Sequence, residues 1–160
     1  MSNALLGIFL ANTYSTYQAR TRLLVLKQHL ETRFFNKAQG SQDPANITWL
    51  QSLGEDFFHE INQMNAYQVL GNLEKEIKKM STLTLFIAFS MPDEEVNRLG
   101  VWLRMVMITR PNLLLEIKID PNLLAGCALS WKGIYRDYSL RQRIETNKEK
   151  IIANLKNYLK

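Results

Sequence analysis

An α+β fold is the class this sequence predicts: an antiparallel helical bundle over residues 1–80, then a small mixed β/α domain over residues 81–160 that closes with a basic helix. Three observations predict it. Apolar residues up to Met80 recur at spacings of three and four, the repeat of one helix face. The repeat then shortens, because Leu83-Thr-Leu-Phe-Ile-Ala-Phe89 is a compact β-rich run and Leu113, Leu115, Ile117 and Ile119 alternate with their neighbours. Finally, Lys132-Gly133 separates two short strand-like runs, the spacing of a tight hairpin.

The elements follow in order. Ala19, Leu23, Leu26, Leu30 and Phe34 form one helical stripe, expected to end near Lys37 before the breaker-rich Gln39-Gly40-Ser41-Gln42. Asp43 before Pro44 has the form of an N-cap with proline in the first turn, and the stripe Ile47, Leu50, Phe57, Ile61 comes after it. Ala66, Leu70, Leu73, Ile77 and Met80 make a third stripe. Such helices can bury their stripes only against one another, which predicts the bundle. After the strand at 83–89, Ser90-Met-Pro-Asp-Glu-Glu95 reads as a helix start, with Ser90 as cap and acids at the positive dipole end. Val96, Leu99, Leu103 and Val106 are expected to face inward, with Arg110-Pro111 closing the helix. Leu113–Ile119 reads as a half-buried strand, and strands from about Gly126 to Trp131 and Ile134 to Tyr138 form the hairpin. Ser139 caps the last helix, whose stripe is Leu140, Ile144, Ile151, Leu155 and Leu159, with Lys148, Lys150, Lys156 and Lys160 largely away from it.

An apolar fraction of 46% with 22% charged residues is ordinary for a folded water-soluble chain. No run approaches the roughly 20 apolar residues of a membrane span. Leu5–Ala11 is apolar but lacks a cationic flank before it and a small-residue cleavage pattern after it, so no signal peptide is expected. The single cysteine, Cys127, has no internal disulfide partner and reads as a small buried hydrophobe in a strand. His29 and His59 lie on separate helices without metal-ligand spacing, so no metal is expected. Charge is uneven. Residues 1–129 carry 12 basic and 12 acidic side chains, whereas residues 130–160 carry 8 and 3, which places the whole excess of +5 at one end. That asymmetry suits an acidic partner there, or a solvated basic face.

Catalytic patterns are missing. No Gly-rich phosphate loop occurs, since Leu70-Gly71-Asn72 lies within a helical stripe and Gly126 opens a strand. Asp93, Glu94 and Glu95 are explained by a helix N-terminus, and Asp137 with Ser139 by a helix cap and its lead-in turn. No catalytic residue, cofactor or small-molecule substrate is expected. Tyr135, Arg136, Tyr138, Arg141 and Arg143 interleave aromatics with base, which leaves an alternative: a basic binding module for nucleic acid or an anionic membrane surface through residues 132–160. Steep loss of binding with salt would mark that alternative.

One stretch carries a resemblance. Asp120, the aliphatic pair Leu123 and Leu124, the small-Gly step Ala125-Gly126, a short hairpin, then Asp137-x-Ser139 and Arg141-x-Arg143 occur in an order that resembles the delta subunit of F-type ATP synthases, the oligomycin-sensitivity-conferring protein family. The resemblance runs from about Leu83 to Arg143. It departs in having Ala125 where glycine is common, Cys127 where an aliphatic residue is common, and a helical part shorter than the family's bundle. The resemblance implies a non-catalytic stator subunit that links the catalytic head to the peripheral stalk, on the cytoplasmic side of the cell membrane and without inserting into it. By the same resemblance the C-terminal domain would meet the b subunit of the stalk, and the helical bundle would meet the N-terminal segments of the alpha subunits. Arg141, Arg143, Lys148, Lys150 and Lys156 are then the candidate partner-binding cations.

Overall fold

The computed structural model describes residues 3–35, 43–107 and 113–158. Helices α1 (Asn3–Leu10) and α2 (Thr16–Phe35) are joined by a short loop that ends in a capping box. There the Ser15 hydroxyl accepts the Gln18 N–H at 3.1 Å, while Gln18 Oε1 accepts the Ser15 N–H at 3.3 Å. Helix α3 (Pro44–Ser52) starts at Asp43, whose carboxylate accepts the Ala45 N–H at 2.9 Å. Two more helices follow, α4 (Gly54–His59) and α5 (Ala66–Lys79). Their stripes meet in one core. Phe9, Leu26, Leu30, Phe57 and Leu73 are buried together, and Phe9 meets Trp49 edge-to-face at 5.3 Å. Each such side chain contributes about 1.5–3 kcal/mol of burial free energy.

Two expectations change here. Ile47 is exposed, because α3 turns Trp49 and Leu50 inward instead and ends at Leu53, itself buried, before α4 begins at Gly54. Met80 lies beyond the end of α5, in an extended conformation, and is only partly buried against the core. The expected helix end at Lys37 and the breaker segment 39–42 lie outside the described residues, as do Arg110 and Pro111.

The second half is a four-stranded mixed sheet among the described residues, in the order β2-β1-β3-β4. Its strands are β1 (Thr82–Ile87), β2 (Leu114–Ile119), β3 (Cys127–Trp131) and β4 (Ile134–Asp137). Strand β1 pairs parallel with β2, in register Leu85↔Ile117, and antiparallel with β3, in register Leu85↔Leu129. A parallel pair needs a crossover, and α6 (Asp93–Val106) supplies it. Helix α6 packs Leu99 and Leu103 against Leu83, Leu113, Leu115 and Trp131.

Helix α6 departs from expectation at both ends. Ser90 does not cap it: Pro92 is the N-cap residue, with no side-chain cap bond, and the helix begins at Asp93. Proline's fixed, extended backbone there (φ −61°, ψ 151°) defers the first helical residue past Ser90's reach. At the other end Val106 is exposed, and Met107 continues the inward stripe set by Val96, Leu99, Gly100 and Leu103. Strand β2 is not evenly alternating either. Leu113, Leu114 and Leu115 are all buried, whereas Ile119 is 58% exposed. The start of β2 lies between α6 on one side and the helical core, which Leu114 joins, on the other.

The loop between α1 and α2 fastens the two halves. The Leu115 N–H donates to the Tyr14 carbonyl at 2.9 Å, making a parallel bridge between Ser15 and Leu115 on the outer edge of β2. Arg104 of α6 reaches across to the end of α1, donating to the carbonyls of Leu10 at 3.0 Å, Ala11 at 3.1 Å and Thr13 at 2.5 Å. Its guanidinium also lies 4.5 Å from the Tyr14 ring centre. Burial pulls the Arg104 pKa down from its ordinary value, with the Tyr14 charge opposing.

Candidate partner-binding site

Asp120 ends β2 and starts a single 3-10 turn, Pro121–Leu123, by accepting both the N–H and the side-chain amide of Asn122 at 3.0 Å. Leu123 is buried, while Leu124 is exposed and sits at φ 64°, ψ −50°, the centre of a γ-turn that the Ala125 N–H closes by donating to the Leu123 carbonyl at 2.8 Å. Ala125 has ordinary backbone, and the positive-φ positions are Leu124 before it and Gly126 after it. Gly126 then sits at φ 80°, with the space for a β-carbon filled by the Tyr138 carbonyl oxygen at 2.7 Å and Ser139 Cα at 3.2 Å. Glycine is required there twice over, by conformation and by contact.

That contact closes a knot. The Tyr138 N–H donates to the Cys127 carbonyl at 2.9 Å and the Leu140 N–H to the Ala125 carbonyl at 2.9 Å, so the lead-in to the last helices is stitched to the turn before β3. Between them β3 and β4 turn through Lys132 (φ 49°) and Gly133 (φ 81°), both left-handed as a two-residue hairpin of this twist demands. Cys127 is half-buried in β3 rather than sealed in the core. Asp137 accepts the Ser139 N–H at 2.7 Å, and its hydrogen bonds with Ser139 hold its carboxyl below the usual carboxylate range. Ser139 is fully buried and accepts the Gln142 N–H at 3.2 Å, capping α7 (Leu140–Thr146). The motif positions Asp120, Leu124, Gly126, Asp137 and Ser139 thus form one small structural unit whose work is to aim the chain into α7.

What it aims is a bare pair of helices. Asn147 ends α7, its side chain donating to the Arg143 carbonyl at 2.8 Å, and α8 (Lys148–Tyr158) follows. Neither helix buries a residue among those described, and Leu140, Ile144, Ile151, Ile152 and Leu155 are between 41% and 56% exposed. None of the described stripe residues is buried in a core of the chain; Leu159 and Lys160 lie outside the described residues. Helical spacing puts Arg141 and Arg143 on the two borders of the stripe on α7; on α8, which starts afresh after Asn147, Lys148 falls among the stripe residues, Lys156 lies along a border and Lys150 lies on the far face. Lys148 is thus closer to the stripe than the sequence reading placed it. Arg143, Lys148, Lys150 and Lys156 are exposed, and Arg141 shares its Nε proton with Glu145 at 2.9 Å, which pushes its pKa further up. Ile152 was missed by the stripe analysis, although its exposure beside Ile151 extends the same face.

The aromatics of the hairpin divide. Tyr135 packs edge-on against Phe86 at 5.9 Å and Tyr138 makes no such ring contact among the described residues, although both are 54% exposed. His29 and His59 stand on α2 and α4, with His29 against the Phe58 ring at 5.3 Å. No described helix is long and apolar enough to cross a membrane. Among the described residues no three His, Cys, Asp or Glu side chains gather as metal ligands would. No protein-family model matches the chain. Nor does any curated protein match it.

Proposed function

We propose that this chain is a non-catalytic stator subunit of an F-type ATP synthase, of the delta type. The observation that carries the proposal is the unpartnered face of α7 and α8: five exposed aliphatic side chains, with Arg141 and Arg143 to either side of them on α7 and Lys148 and Lys156 beside them on α8. An amphipathic helix of opposite charge, laid along that face, buries the stripe and pairs the borders. The b subunit of the peripheral stalk is the partner that the sequence resemblance supplies for this end of the chain. Helices α1–α5 act as an antiparallel bundle that meets the N-terminal segments of the alpha subunits, and the whole sits peripherally on the cytoplasmic side of the cell membrane. Rotation of the motor's shaft loads every stator joint, so a joint built from buried apolar contact suits the role better than surface ion pairs, each worth about 0–1 kcal/mol.

A basic module for nucleic acid would use the same cations but has no need of the aliphatic stripe, whereas an anionic membrane surface would bury the stripe as a partner helix does. Affinity capture with the tagged chain from the source cell's detergent-solubilised membranes, read by mass spectrometry, separates both from the stator role. Recovery of alpha, beta and b subunits supports the stator role. Recovery of nucleic acid or of none of these subunits sinks it.

A further inference from the structure

A cleft of about 470 Å³ lies where α2, the last turn of α5 and the sheet converge, a volume typical of small-molecule sites. Helix α2 lines it from Thr16 to Lys27, a length of about 16 Å at 1.5 Å per residue. Its walls are aliphatic, with Leu23 and Leu24 on one side and Ile77 on the other, and Leu114 at the sheet end. A helix of that length, about 10 Å across, occupies on the order of 1,200 Å³ and can only rest on top. An extended single chain fits inside.

The charge on the rim selects one sign. Arg20, Lys27 and Lys78 stand around the apolar trough, and the one carboxylate lining it, Glu74, is already held by Lys78 at 2.6 Å. Arg20 has no carboxylate partner among the described residues. We propose that this cleft binds a free aliphatic carboxylate of fatty-acid type, its chain along Leu23, Leu24 and Ile77 and its carboxylate between Arg20 and Lys27. The site spans the junction of helices and sheet and is independent of the stator assignment.

Isothermal titration of the full chain with decanoate, kept below its micelle concentration, tests this. Saturable one-to-one binding is expected, at least tenfold tighter than for decanol. The double variant Arg20→Glu/Lys27→Glu, both at exposed positions, should weaken decanoate binding at least tenfold, and so should Leu24→Asp, which places a charge in the trough. The remote pair Lys132→Glu/Arg136→Glu should leave it unchanged, with circular dichroism showing each variant folded. Absence of saturation overturns the proposal. So does equal weakening in the cleft and remote variants, which would mark nonspecific attraction of an amphiphile to a basic protein.

Discussion

Gly126 concentrates the local argument into one residue. A methyl group there would meet the Tyr138 carbonyl at 2.7 Å while the backbone stayed at φ 80°. Left-handed backbone costs a residue with a β-carbon about 1–2 kcal/mol, and relieving the clash would pull on the stitch between Cys127 and Tyr138. Gly126→Ala should therefore lower stability by about 2–3 kcal/mol in chemical denaturation, more than loss of the Ser139 cap, for which Ser139→Ala is worth about 1 kcal/mol. An equal or smaller effect at Gly126 would mean that the turn relaxes freely and that the knot is not rigid. Such a residue is readable in sequence as a glycine between turn and strand. The reason for it is not, because the oxygen that fills its β-carbon position belongs to Tyr138, which is brought back only by the hairpin.

At the scale of elements, what was legible depended on whether the cause was local. The Asp43 and Ser139 caps and the Lys132-Gly133 turn are decided by neighbours in sequence, and each forms where the residues place it. Strand β2 was legible as a strand but not in its burial, since Leu114 is covered by helices distant in sequence. Val106 was misplaced because α6 takes its phase from Leu99, Leu103 and Met107 against the sheet. The stripe on α7 and α8 was visible apart from Ile152, but the break at Asn147 that divides the expected single helix was not, nor was the stripe's exposure, because a periodic pattern does not say what covers it. That exposure gives a clean test. Ile144→Asp and Leu155→Asp should leave the melting temperature within about 2 °C of the parent, since neither side chain is buried in the chain alone. Each should weaken binding to the stalk b subunit by about 2 kcal/mol, roughly thirtyfold in Kd. A melting temperature that falls sharply would show that the stripe is internal after all.

For the whole molecule, the structure is two halves with one joint. The bridge from Ser15 to Leu115, the Arg104 clasp on the end of α1 and Leu114 in the helical core all lie at the same junction. Force applied at α7 enters through the knot, which continues into β3 on one side and through the 3-10 turn into β2 on the other, and reaches the helices through that joint. A stator that holds the head at one end and the stalk at the other needs such a continuous path. The two halves should then serve different partners, with the stalk confined to α7 and α8. Hydrogen–deuterium exchange of the chain, alone and saturated with the soluble part of the stalk b subunit, measures this most directly. The account predicts slowed exchange across residues 140–158, with α2 and α3 unchanged. No binding, or protection centred on the helices of the first half, would contradict it.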